Sequence, residues 1–154
     1  MGMAAKQEAT VTSPSGNLTL TAGVDKAGRP YYSLSRGKEA ILLPSYLGVK
    51  LKDGSLDSDF GVMGFVRATK DETWHQPWGE ENDVRNHYNE LTMKLAQRKG
   101  LKRQLTIVFR VFDDGMGFRY VFPEQKNLKH FVIMDEETEF CFKGDPEAWT
   151  LPYD

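Results

Sequence analysis

Two neighbouring stretches gather the side-chain types with which proteins hold sugars. The first is Trp74-His75-Gln76-Pro77-Trp78-Gly79-Glu80-Glu81 and the second is Arg85-Asn86-His87-Tyr88-Asn89-Glu90. Flat rings such as Trp74, Trp78 and Tyr88 stack on a pyranose, while Glu80, Asn86, Asn89 and Glu90 offer carboxylates and amides to its hydroxyls. The same seven residues also suit an interface between domains. The plain alternative is that the Trp rings fill a core and the polar residues hold turns, since cores and pockets use the same aromatic side chains. Pro77 lies between the two Trp and resists regular strand pairing, which places them on an edge or a loop. An architectural role for Trp74 and Trp78 is therefore expected over a stacking platform.

Other reactive residue types are sparse. His75, His87 and His130 are the only histidines, and no two stand four apart as in a helical zinc pair. Cys141 is the single cysteine. It sits in Glu139-Phe140-Cys141-Phe142, an ordinary alternating stretch without the electropositive setting of a nucleophilic thiol. Asp53, Asp57 and Asp59 lack the spacing and closing Glu of a calcium loop, so they read as a polar turn. Arg98, Lys99, Lys102 and Arg103 straddle Gly100 and read as a solvated connection. These residues assign no catalytic group and no metal ligand.

The rest of the composition narrows the class. The chain has 154 residues, with 20 Lys and Arg against 22 Asp and Glu, for a formal charge of −2. That balance argues against a nucleic-acid partner, which needs concentrated positive charge. The longest apolar runs, such as Ala40-Ile41-Leu42-Leu43, are too short to span a membrane as a helix. One cysteine excludes an intrachain disulfide framework. Met1-Gly2-Met3-Ala4-Ala5-Lys6 contains no secretion-signal core and reads as a start added to a mature segment. Residues 1–9 are expected to be a tag or flexible start. Residues 10–154 are expected to be one domain, incomplete at its carboxyl end, where Trp149-Thr150-Leu151-Pro152-Tyr153-Asp154 stops in mid-pattern.

The elements that must position these residues are strands. Leu18, Leu20, Ala22 and Val24 alternate with polar or small residues, and Tyr32 and Leu34 begin a second strand after the turn at 25–30. Leu47, Val49 and Leu51 alternate up to Lys52-Asp53-Gly54. Leu105, Ile107, Phe109 and Val111 share one face, Asp113-Asp114-Gly115 turns the chain, and Phe118, Tyr120 and Phe122 return. Residues 131–134 and 138–142 make two more short apolar runs around Asp135-Glu136-Glu137. Residues 84–96 fit either a helix through Val84, Tyr88, Leu91 and Leu95 or a strand through Leu91, Met93 and Leu95. The neighbouring strands and Gly100 favour the strand. Regularly spaced strands with turns between them predict an all-β sandwich.

A family resemblance follows from these pieces taken in order. Ser13-Pro14-Ser15-Gly16-Asn17-Leu18, Pro30-Tyr31-Tyr32-Ser33-Leu34, Ser45-Tyr46-Leu47-Gly48-Val49, Trp78-Gly79-Glu80, Arg85-Asn86-His87-Tyr88-Asn89-Glu90-Leu91 and Phe109 through Tyr120 succeed one another along the chain. Glu136-Glu137-Thr138-Glu139-Phe140 completes the set. Together they resemble the amino-terminal domain of glycoside hydrolase family 97, over nearly the whole chain from about residue 10 onward. The resemblance implies a bacterial α-glucosidase or α-galactosidase as parent, periplasmic or secreted. It implies a galactose-mutarotase-like β-super-sandwich, longer than this chain, packed on a catalytic (β/α)8 barrel, with a smaller carboxyl-terminal β domain. It also implies calcium at the parent's active site and an α-linked oligosaccharide as its ligand.

The catalytic carboxylates of that family lie in the barrel, which needs about 250 residues of strand–helix alternation that this chain does not show. The calcium-binding glutamate that the amino-terminal domain lends would fall beyond Asp154. The sequence thus reads as a non-catalytic sandwich that braces a barrel and walls its active site. Two other functions stay open: a free-standing carbohydrate-binding module using Trp74 and Trp78, and, more weakly, an aldose-epimerase-like enzyme. The latter wants a converging His and carboxylate that the scattered histidines do not signal.

Overall fold

A computed structural model describes residues 7–80 and 82–147. It is all-β. The first sheet is a meander of β1 (Glu8–Thr12), β2 (Leu18–Val24), β3 (Pro30–Arg36) and β4 (Glu39–Tyr46), paired in that order. Two short strands follow, β5 (Val49–Leu51) and β6 (Gly54–Leu56), joined by the Lys52-Asp53 turn. The second large sheet contains β7 (Phe60–His75), β8 (Asp83–Gln97), β9 (Gln104–Val111) and β10 (Met116–Val121), again antiparallel neighbours. Finally β11 (Ile133–Glu136) returns to pair with β5.

The two four-stranded sheets face each other, β1 against β8 and β2 against β7 and β9. Period-2 alternation explains which side chains meet between them. From the first sheet come Val11, Leu18, Leu20, Ala22, Tyr32, Leu34 and Leu42; from the second come Phe60, Leu91, Met93, Leu95, Leu105, Ile107, Phe109 and Val111. All are buried. Residues 84–96 lie within β8, so the strand reading holds, and the buried positions are Tyr88 and the alternating Leu91, Met93 and Leu95. The hairpin at Asp113-Asp114-Gly115 also forms, with Phe118 opposite Phe109 and the Phe112 amide donating to the Gly115 carbonyl at 2.8 Å.

Three features depart from the sequence reading. Glu8 and Ala9, assigned to a flexible start, belong to β1 and pair with Gly23 and Ala22. The apolar runs 131–134 and 138–142 are not two separate strands. They lie along one extended segment antiparallel to residues 41–52, through the β11–β5 ladder, the Leu42–Phe142 bridge, and amide bonds from Glu137, Glu139 and Lys143 to the carbonyls of Gly48, Tyr46 and Ile41. Arg103, read as part of a solvated connection, is 5% exposed. Its guanidinium donates to both carboxylate oxygens of Asp53 at 3.3 and 2.6 Å and to the Asn127 carbonyl at 3.1 Å. A charge removed from water needs such partners. The arginine holds Asp53 below the usual carboxylate range.

Candidate functional site

The seven candidate residues lie on or beyond one end of the β7–β8 pair. β7 and β8 are registered from Phe60–Gln97 to His75–Asp83, whereas β9 accompanies β8 only as far as Asn89. Residues 70–75 and 83–88 therefore leave the sheet as a two-stranded arm. A free two-stranded ribbon is marginal in water, and this one is tied by cross-strand polar pairs. Arg85 binds Asp71 through two bonds of 2.8 Å, and His75 Nδ1 lies 3.1 Å from Asp83. On the opposite face, Glu72 accepts from Lys70 at 2.8 Å and from Asn86 at 3.1 Å. The guanidinium of Arg85 and the ammonium of Lys70 hold Asp71 and Glu72, respectively, below the normal carboxylate range.

The candidates divide between the two faces and the tip. Tyr88, Glu90, Asn86 and Trp74 share one face, because Lys70, Ala68, Glu72 and Val84 stand opposite them. Asn89 points to the other, where its amide donates to the Thr12 carbonyl and accepts from Thr69, each at 2.8 Å. Tyr88 is buried, its ring 5.3 Å from Phe112 and capped by Arg110 at 4.5 Å. Arg110 in turn donates to Glu90 at 2.8 Å. Tyr88, Asn86, Asn89 and Glu90 thus spend their rings and polar atoms on neighbouring residues of β1, β7 and β9 and of the turn after β9. Trp74 is separated from the Glu90 level by six residues of strand, roughly 20 Å.

Trp74 and Trp78 do not enter the core, so the core reading of their rings is corrected. Trp74 is 50% exposed at the end of β7, and Trp78 is 85% exposed in the turn beyond it. Both belong to the part of the ribbon that no third strand and no opposing sheet covers. Pro77 does fall in the irregular turn, and Glu80 beside it is exposed. Only Trp74, Trp78 and Glu80 remain available to a ligand or a partner. They present rings on an arm tip rather than a lined pocket.

Among the described residues there are also hollows away from the arm. A depression of about 590 Å³ on the outer face of the first sheet is lined by Glu8, Asp25, Tyr31 and Tyr46. Tyr31 donates to Glu8, Tyr46 donates to Asp25 at 3.3 Å, and Arg29 covers the Tyr46 ring at 3.6 Å. Burial, then the Glu8 bond, pushes the Tyr31 hydroxyl up to about 12. Its aromatic and polar groups already satisfy one another. Among the described residues no three His, Cys, Asp or Glu side chains are grouped to hold a metal ion, so the calcium implied by the resemblance finds no ligand set in them. Asp53 pairs with Arg103, while Asp57 and Asp59 serve Ser58 and the Lys99 amide. Trp149 lies outside the described residues.

Comparison with known proteins places this geometry. The model of the glycosyl-hydrolase 97 N-terminal family matches residues 11–154. A retaining alpha-galactosidase of Bacteroides thetaiotaomicron is 29% identical over 99% of this chain and 22% of its own length. A probable retaining alpha-galactosidase of Streptomyces bingchenggensis is 25% identical over 92% of this chain and 21% of its own. Among solved structures, a glycoside hydrolase family 97 enzyme from Pseudoalteromonas sp. in complex with panose superimposes with a TM-score of 0.82 and 32% identity, covering 87% of this chain and 20% of that one. A beta-arabinopyranosidase superimposes at 0.79 with 28% identity, over 88% of this chain and 21% of that one. The chain spans about a fifth of the length of each. Its sequence, its sandwich and its register agree on one conclusion: the chain belongs to the glycosyl-hydrolase 97 N-terminal family.

Proposed function

We propose that this chain is the accessory β domain of a larger α-glycoside hydrolase, which cleaves a terminal α-linked glucose or galactose with carboxylates supplied by a catalytic barrel. The observation that carries the reading is the match over residues 11–154 to enzymes about five times longer. The two curated relatives compared above are named as retaining enzymes. A retaining reaction needs a nucleophilic carboxylate about 5–5.5 Å from an acid/base carboxyl. No such pair is assigned in this chain. Its contribution is shape: the sandwich braces the barrel, and the β7–β8 arm carries Trp74 and Trp78 to the interdomain contact, where aromatic rings bury much area at low entropic cost. Calcium in the whole protein would be bound by residues outside those that the structure describes. Export to the periplasm or beyond belongs to the same proposal and is checked by cell fractionation.

The test is turnover of nitrophenyl α-glucoside and α-galactoside. The whole polypeptide should hydrolyse one of them, and the 154-residue chain should not exceed a protein-free blank. Hydrolysis by the chain alone overturns the reading. The exposure of Trp78 also supports a second reading, a carbohydrate-binding module. Calorimetric titration of the chain with maltooligosaccharides and galactosides separates the two. A dissociation constant at or below ~1 mM, lost in Trp74→Ala and Trp78→Ala without unfolding, favours the module.

A further inference from the structure

A row of four residues crosses the outer face of the first sheet: Glu8 on β1, Gly23 on β2, Tyr31 on β3 and Tyr46 on β4 stand side by side. Gly23 carries no side chain, so the Tyr31 ring passes above it and the hydroxyl donates to Glu8 two strands away, a span of about 10 Å. A Cβ at position 23 would fall 2.4 Å from the Gln7 carbonyl oxygen, so the row is built around a glycine. Tyr46 stands at the far end, where the hollow of about 590 Å³ lies against its ring. The Arg29 guanidinium that covers this ring lines a different hollow, with Asp57 and Glu137, and does not occupy this one. Both phenols are fixed by their bonds to Glu8 and Asp25. Other groups of the hollow are left over. Thr21 and Ser33 stand opposite each other in the next row of the same face. Among the described residues nothing takes up their hydroxyls, the second oxygen of Glu8 or the ammonium of Lys26.

Fixed rings beside unengaged hydroxyl, carboxylate and ammonium groups suit a ligand with C–H faces and many hydroxyls. Charge selects among such ligands. Glu8 and Asp25 are balanced by Lys26 and Arg29, so no net charge draws in an ion, and a cation would meet Lys26. The volume falls within the ~300–1,000 Å³ of small-molecule sites. We propose that this hollow binds a neutral pyranoside, which stacks on Tyr31 against the wall of Tyr46 and bonds to Thr21, Ser33, Glu8 and Lys26. Because the rings are already held in place, binding costs little rotamer entropy. The hollow lies on the first sheet, whereas the β7–β8 arm extends from the second, so it is distinct from Trp74 and Trp78. It is made of this chain's own side chains and stands apart from the accessory-domain reading.

Titration of the isotope-labelled 154-residue chain with maltotriose and with melibiose, followed by NMR, tests the site. The amide signals of Thr21, Tyr31 and Ser33 should shift with at least one of the two sugars at a dissociation constant of ~1 mM, while those of β9 stay in place. Tyr31→Ala should weaken binding at least ~10-fold. Ser33→Val keeps a strand-favouring residue on the outer face and should weaken it ~5-fold through a lost hydrogen bond, which decides the matter where Tyr31→Ala fails to fold. Absence of shifts up to ~10 mM of either sugar overturns the proposal. Binding that survives both variants also overturns it, as does binding lost in Trp78→Ala instead, which assigns the sugar to the arm. Tighter binding of tetramethylammonium than of either sugar overturns it in favour of a cation site.

Discussion

At the scale of single residues, the aromatic centre sets the energetics. Phe109 is fully buried between Tyr32 and Phe118, so truncation removes transfer energy and leaves a cavity. Phe109→Ala should destabilise the chain by about 3–5 kcal/mol in urea melts. Tyr32 adds a polar anchor, its hydroxyl donating to the Glu139 carbonyl at 2.9 Å. Tyr32→Phe keeps the ring and loses that bond, for about 0.5–1.5 kcal/mol. Burial first, then repulsion from Tyr120, pushes the Tyr32 hydroxyl up to about 12. Because its folded value lies above the unfolded value near 10, the stability it contributes is intact below pH ~10 and is lost as pH rises through the folded value. Ultraviolet titration of the native chain should show Tyr31 and Tyr32 ionising last, and Tyr32→Phe should remove one of the late steps.

At the scale of elements, the turn at residues 25–29 connects the two sheets. Gly28 has φ of +75°, and a Cβ there would fall on the backbone of Phe60 at the start of β7. The Asp59 and Phe60 amides donate to the Ala27 and Gly28 carbonyls at 3.0 Å. Gly28→Ala should therefore cost at least about 1–3 kcal/mol, from backbone strain before any clash is counted. Trp74→Ala, on the exposed arm, should stay within about 0.5 kcal/mol. These contrasts show which features were legible in the sequence. Strands with apolar residues at every second position, such as β2 and β9, read directly. β7 does not, because beyond Val66 both of its faces are solvated and carry no apolar alternation. The candidate residues were found as a group because their types cluster in sequence. Their separation onto two faces and a tip depends on the β7–β8 register, which composition does not encode. Arg103 resembled its solvated neighbours because its partner Asp53 stands 50 residues earlier.

At the scale of the whole molecule, several carboxylates are stabilised by partners drawn from other elements. Asp53 is held low by Arg103, Asp71 by Arg85, and Asp113 by Ser15, whose amide donates to it at 2.8 Å. Their depressed folded values place the sign: this stability is complete above the ordinary carboxylate pKa near 4 and is lost as pH falls through the folded values. Acid unfolding followed by circular dichroism should begin below pH ~4, and Asp53→Asn should flatten its dependence. The strand that closes the aromatic centre carries a different consequence, one of timing. Glu139, which accepts from Tyr32, is made 107 residues after it, and Phe142 bridges back to Leu42 across a similar span. At a synthesis rate of ~5–20 residues per second, the β4 edge of the first sheet waits roughly 5–20 s for the segment that borders it. During that interval the carbonyls of Ile41, Tyr46 and Gly48 lack their partners and are available to neighbouring nascent chains. Slower elongation between codons 46 and 139 should therefore raise the yield of aggregate, whereas the same delay placed after codon 143 should not.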